Sequence, residues 1–131
     1  MPRILVTDDN AAIRTLLTEI LEGNGHEVET ASDGVGALKC RQNQTFDVLI
    51  TDIFMPEKDG IELIMEVKTR FPDLKVIAIS GGGPGVGMDL LNPARRLGAK
   101  RILRKPVSRA DLLQAVNEVL EDSNPEGLSH P

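Results

Sequence analysis

Strand-length segments alternate five times along this chain with longer segments whose apolar residues recur at helical spacing. The predicted strands lie at residues 3–7, 27–31, 46–51, 75–79 and 101–104. Strands that alternate with helices in this order predict a parallel sheet covered by helices on both faces. A length of 131 residues suits one domain. We therefore predict an α/β fold with a five-stranded parallel sheet flanked by five helices.

The helix between the last two strands is the least well defined. It is expected around residues 88–97, follows the glycine-rich loop 81–87, and contains Pro93, which can kink or delay a helix. The polar end of the chain, rich in Pro and Ser, predicts a flexible tail at 123–131 after a domain spanning 1–122.

Composition excludes several functional classes. The formal net charge of −5 disfavours direct nucleic-acid binding, and Cys40, the only cysteine, rules out an internal disulfide. The longest apolar runs are far below the ~20 residues needed to cross a bilayer, and no signal-peptide pattern is present. We therefore expect a cytoplasmic protein with no membrane insertion.

Polar residues follow four of the predicted strands at the point where each strand ends. They are Asp8 with Asp9, then Asp52, Ser80 and Lys105. In an open parallel sheet, ligands bind at the carboxyl ends of the strands. Alone, the two adjacent acids could equally be solvated or cap a helix. Together, three carboxylates, a hydroxyl and an ammonium predict a site for a divalent cation and a phosphoryl group.

Several short motifs occur in a fixed order along most of the chain. They are Leu5-Val6-Thr7-Asp8-Asp9, Asp33-Gly34 with Ala37-Leu38, Leu49-Ile50-Thr51-Asp52 with Met55-Pro56, Asp59-Gly60, Ile79-Ser80, Gly98-Ala99 and Lys105-Pro106. Over residues 3–120 the chain resembles the receiver domain of two-component response regulators, including the chemotaxis-regulator type. The resemblance implies a doubly wound, flavodoxin-like (βα)5 fold.

The resemblance also implies a metal site. Asp9 would bind Mg²⁺ (or Mn²⁺) directly, Asp8 would bind it through water, and Asp52 with the backbone carbonyl of Phe54 would complete the protein ligands.

Roles toward the phosphoryl group follow from the same resemblance. Asp52 would be the phosphoacceptor, Ser80 would hydrogen-bond a phosphoryl oxygen, and Lys105 would pair with the phosphoryl group. The bond between Lys105 and Pro106 would be cis. Ser80 and Ile102 occupy the family's two switch positions, but the second is usually aromatic, which leaves the readout of the switch open.

The function implied is that of a phosphorylatable receiver, which accepts a phosphoryl group from a histidine kinase or a histidine phosphotransfer protein and signals through protein contacts. It would assist its own phosphorylation and dephosphorylation without turning over small substrates. The alternative is a receiver-like interaction module that works without phosphorylation. A hydrolase of the haloacid-dehalogenase type is a weaker rival. That type places an Asp-x-Asp nucleophile motif after the first strand, and Asp8-Asp9-Asn10 does not match it.

A basic face is expected at residues 88–109. Seven basic residues and no acidic ones lie within residues 95–109: Arg95, Arg96, Lys100, Arg101, Arg104, Lys105 and Arg109. Such a face is expected to attract an acidic surface on an output protein or on a second copy in a homodimer. A solvated edge with scattered positive charge explains the same pattern.

Overall fold

Strands and helices alternate in the structure as the sequence predicts. The structure is a computed structural model, and it describes residues 2–53, 60–80 and 98–121. The elements are β1 (Arg3–Thr7), α1 (Ala11–Glu22), β2 (Glu27–Ala31), α2 (Gly34–Asn43), β3 (Val48–Asp52), α3 (Gly60–Arg70), β4 (Lys75–Ser80), β5 (Ala99–Arg104) and α4 (Arg109–Glu121). The helix expected around 88–97 and the tail expected at 123–131 lie outside the described residues.

All five strands pair in parallel in one sheet, in the order β2-β1-β3-β4-β5. This order is that of flavodoxin-like doubly wound folds, in which the chain reverses direction across the sheet between β1 and β3. The predicted five-stranded parallel sheet is confirmed, with four of its helices in the described part of the chain. Because the crevice of such a sheet opens where the order reverses, the ends of β1 and β3 are the expected place for a ligand.

Two apolar clusters hold the layers together, one on each face of the sheet. Under α2 and α3, strand residues such as Leu5 and Leu49 pack with Leu63. Under α1 and α4, Ile4 packs with Leu17 and Leu112. Adjacent residues of β1 face opposite layers, which is why residues 4–6 of β1 and 48–50 of β3 are apolar at every position.

Side chains cap the N-termini of α1, α2 and α4. The Asn10 side chain accepts hydrogen bonds from two backbone N–H groups at the start of α1, and Asp33 Oδ1 accepts one from Gly36 at 2.8 Å. Ser108 Oγ accepts one from the Asp111 N–H at 3.0 Å, ahead of α4. These bonds satisfy donors that lack partners within a helix. Among the helices of the described ranges, none is both long and apolar enough to cross a membrane.

The first residue of α3 packs directly on the end of β3. The Gly60 N–H donates to the Ile53 carbonyl at 2.9 Å. A Cβ added at Gly60 would lie 2.6 Å from Ile53 Cα and would also overlap the Asp52 carbonyl oxygen. Only glycine therefore lets α3 approach the strand that ends in Asp52.

We expect Gly60→Ala to lower the free energy of unfolding by about 1–3 kcal/mol, because the new methyl group meets backbone that cannot move independently. The matched control is Gly36→Ala in α2, whose Cβ would find its nearest atoms at 3.4 and 3.5 Å. That change should be neutral or stabilise by about 0.5–1 kcal/mol. Urea denaturation of both variants checks the expectation. Equal tolerance of both substitutions would contradict it.

Candidate functional site

The structure brings the predicted polar residues to one edge of the sheet. Asp8 follows β1, Asp52 and Ser80 are the last residues of β3 and β4, and Lys105 follows β5. Asp8, Asp52 and Ser80 are buried, and Lys105 is partly buried. The register of the parallel strands places their carboxyl ends side by side, so groups far apart in sequence converge here.

Three of these residues form an acidic cluster, defined here as Asp8, Asp9 and Asp52. One carboxylate oxygen from each lies within 4.8 Å of the others. Two members are buried and Asp9 is exposed, so the cluster opens to solvent on one side. Within the described ranges it is the only group of acidic, His or Cys side chains with spacing suited to a metal. Hard oxygen ligands of this kind suit Mg²⁺.

Local hydrogen bonds hold Asp8 in place. Its Oδ1 accepts from the Asn10 N–H at 2.8 Å, and its backbone carbonyl accepts from Arg14 Nη1 at 2.6 Å. Its own N–H donates to the Ala31 carbonyl in β2 at 3.2 Å. With Oδ1 and the backbone engaged, the second oxygen, Oδ2, is left to face the other strand ends.

Lys105 connects the acidic cluster to β5. Its Nζ lies 2.9 Å from Asp8 Oδ2 and donates a hydrogen bond to Asp52 Oδ2 at 3.1 Å. The Lys105 N–H donates to the Ser80 carbonyl at 2.9 Å, and the peptide bond to Pro106 is cis. Three carboxylates against one ammonium leave two negative charges if all four groups are ionised.

The charge of Lys105 is set by two opposing effects. Burial lowers the pKa of the ammonium, but hydrogen bonds and charge attraction from Asp8 and Asp52 outweigh it, so the pKa is raised above its usual value. Because the pKa is raised, the stability that this pairing contributes is fully present at pH values below the usual pKa of lysine. That stability is lost only as the pH rises through the raised pKa. Lys105 is therefore cationic throughout the neutral range.

Other predicted residues lie apart from this arrangement or outside the described part of the chain. Ile102 pairs with Ala78 between β5 and β4 and packs against the apolar cluster under α2 and α3. Phe54 is not among the described residues. On the basic face, Lys100, Arg104 and Arg109 are exposed, and Arg101 pairs with Glu118 of α4.

Sequence reasoning missed two contributors to the site. Arg14 holds the Asp8 carbonyl from the first turn of α1, and Gly60 supports the backbone of Asp52 from α3. A basic residue one turn after an Asp-Asp pair was a usable signal for Arg14. The contact of Gly60 depends on how α3 approaches β3, which sequence periodicity does not report.

Comparison with known proteins decides the family. A family model described as "Response regulator receiver domain" matches residues 4–117. The chain belongs to this receiver domain family. Receivers of this kind are signalling modules of two-component systems and pair with histidine kinases. The resemblance inferred from the motifs is confirmed.

Two curated relatives show how this receiver compares in length. The response regulator receiver protein CpdR of Brucella abortus is 35% identical over 92% of this chain and 98% of its own. The DNA-binding transcriptional regulator NtrC of Azospirillum brasilense is also 35% identical, over 93% of this chain but 25% of its own length. The chain likewise spans about half the length of the mycobacterial response regulators named MprA.

A solved structure supports the fold. The CheY-like response regulator receiver domain protein of Methanospirillum hungatei superposes with a TM-score of 0.88 at 31% identity, covering 96% of this chain and 98% of its own.

We expect Lys105→Met to lower the free energy of unfolding by about 1–3 kcal/mol in metal-free buffer, because it leaves the buried Asp8 carboxylate without its cation. In an Asp52→Asn background, the loss in free energy of unfolding caused by Lys105→Met should be smaller than in the wild type by about 0.5–2 kcal/mol, since one of the two pairings is already absent. Urea denaturation of the four proteins measures this coupling. Lys39→Met, at an exposed site on α2, is the control. Equal losses in both backgrounds would show that Lys105 and Asp52 do not interact.

Proposed function

We propose that this receiver is a phosphorylatable switch in which Asp52 accepts a phosphoryl group from the phosphohistidine of a sensor kinase or phosphotransfer protein. The observation that carries the proposal is the position of Lys105 Nζ, within 3.1 Å of both Asp8 and Asp52. A charge pair that served only the fold would not need a third carboxylate, Asp9, within the same cluster.

The proposed transfer step uses the side chains of Asp52, Lys105 and Ser80. An oxygen of the Asp52 carboxylate attacks phosphorus, the P–N bond breaks, and its electron pair returns to the imidazole of the donor. The product is an acyl phosphate on Asp52. Lys105 would exchange its hydrogen bond with Asp52 for one with a phosphoryl oxygen, and Ser80 would donate to another. Such reactions depend mainly on alignment and on stabilisation of charge.

Mg²⁺ or Mn²⁺ is the proposed cofactor, held by the acidic cluster with the backbone carbonyl of Phe54. The cluster fits such an ion, because all its donors are carboxylate oxygens and it carries excess negative charge. When bound, the cation would offset the repulsion among the carboxylates and screen the incoming phosphoryl group.

The output is proposed to be a protein contact rather than turnover of small substrates. The receiver would occupy residues 1–122, and its basic face, residues 88–109, would contact an acidic output protein or a second copy. Exposed Lys100, Arg104 and Arg109 support this placement. Ile102 would replace the usual aromatic switch residue, so the rearrangement that follows phosphorylation would involve aliphatic packing beside Ser80.

A receiver-like module that works without phosphorylation is the second candidate. One observation favours it: Ile102, at the position that is usually aromatic, packs against the apolar cluster under α2 and α3 and pairs with Ala78. Such a module would keep the fold and its docking surfaces but would not form an acyl phosphate.

Incubation with acetyl phosphate and Mg²⁺ should add one phosphoryl group to the protein, because the carboxylate of Asp52 is the nucleophile. Intact-protein mass spectrometry measures the gain. Asp52→Asn should show none, whereas Asp73→Asn, an exposed residue beyond α3, should behave as wild type. Absence of any gain with acetyl phosphate and with a phosphorylated histidine phosphotransfer protein would favour the phosphorylation-independent module.

Mg²⁺ should raise the free energy of unfolding by about 1.4 kcal/mol at ten times its dissociation constant, because it binds the folded cluster and not the unfolded chain. Asp9→Asn removes the exposed carboxylate of the cluster and should abolish most of this gain. Asp73→Asn is again the matched control, since it removes one carboxylate elsewhere. Thermal melts across a Mg²⁺ titration provide the measurement. An undiminished response in Asp9→Asn would argue against the assigned ligands.

A further inference from the structure

A small pocket lies at the edge of the sheet where the strands begin, opposite the acidic cluster. Its volume is ≈ 220 Å³, and it is lined by Arg41 of α2, Phe46 ahead of β3, Arg70 at the end of α3, and residues 71–74 between α3 and β4. We call it the basal pocket. Helices in this fold run antiparallel to the strands, so the C-terminal ends of α2 and α3 lie near the N-terminal ends of β3 and β4 at this edge.

Arg41 brings a positive charge to the basal pocket. Its guanidinium carbon lies 4.1 Å from the centre of the Phe71 ring, a cation–π contact. Its Nε is buried and finds no hydrogen-bond partner within residues 2–53, 60–80 and 98–121. Among the residues that the structure describes, no carboxylate forms an ion pair with Arg41. Stacking thus fixes the orientation of the guanidinium while its charge stays unneutralised.

The other charged residues of the basal pocket limit what can bind. Arg70 lies 5.3 Å from the same ring, but it pairs with Glu66 at 3.1 Å. Asp73 adds one negative charge to the lining. The charges of this lining and of Glu66 sum to zero, and Arg41 is the lining cation for which the described residues supply no ion pair. Asp73 would repel a ligand that carries several negative charges, such as a polyphosphate.

We propose that the basal pocket binds a compact carboxylate on the guanidinium of Arg41. The planar guanidinium presents paired donors that match the two oxygens of a carboxylate. A volume of ≈ 220 Å³ is below the range of about 300–1,000 Å³ typical of drug-sized ligands, and it suits a group the size of one side chain. The carboxylate comes either from a small organic acid or from an Asp or Glu side chain of a bound peptide. Neither source depends on phosphorylation of Asp52.

The test uses the full chain labelled with ¹⁵N and follows the Nε–Hε resonance of Arg41 by NMR. One arm titrates benzoate, and the other titrates a blocked Gly-Glu-Gly peptide, both at constant ionic strength. Benzamide and the Gly-Gln-Gly peptide are the neutral controls. We expect a saturable shift of the Arg41 resonance with at least one carboxylate and none with its neutral control. The arm that saturates at the lower concentration identifies the source.

Matched variants separate this site from general charge attraction. Arg41→Gln should weaken binding by about tenfold or more. Because this variant lacks the Arg41 resonance, its binding is measured from the backbone amide resonance of Phe71. Lys39→Gln removes one positive charge from an exposed position on the same helix and should leave the affinity unchanged. The amide spectrum of each variant shows whether its fold is intact, and Arg41→Lys, which keeps the charge without the planar fork, serves if Arg41→Gln unfolds. No shift with either carboxylate, an equal shift with the neutral controls, or full affinity in a folded Arg41 variant would overturn the proposal.

Discussion

The contact of Lys105 with Asp8 and Asp52 joins three strand ends that the sequence keeps far apart. Asp8 follows β1, Asp52 ends β3, and Lys105 follows β5, so one ammonium balances charge across most of the sheet. Without it, the buried carboxylates of Asp8 and Asp52 would lose the ammonium that lies between them. Burial of this kind is tolerated only when the charges are paired and hydrogen-bonded. The site is therefore also a structural element of the fold.

Much of the site was predictable because its residues are local features of strand ends. Each of Asp8, Asp52, Ser80 and Lys105 ends or directly follows a strand, and parallel pairing alone brings such positions to one edge. Strand order was not predictable in this way, since hydrophobic periodicity reports which face of a strand is buried but not which strand lies beside it. The family resemblance implied the order that the structure shows.

Contacts that depend on how one helix or strand packs on another could not be predicted from the sequence. Gly60 is the first residue of α3, and a side chain is excluded there because the backbone of Asp52 and Ile53 lies against it. Arg41 and Phe71 are ordinary residues near two helix ends, and only the packing of α2 beside α3 stacks one on the other. Neither contact is indicated by the periodicity of apolar residues, because the two partners belong to different parts of the fold.

The placement of α3 has a structural consequence. Its first residue rests on the carbonyl of Asp52, and its last residue, Arg70, lies beside Phe71 at the opposite edge of the sheet. A helix of 11 residues is about 16 Å long, so α3 spans the sheet from one edge to the other. One helix therefore links the strand end that carries Asp52 to the rim of the basal pocket.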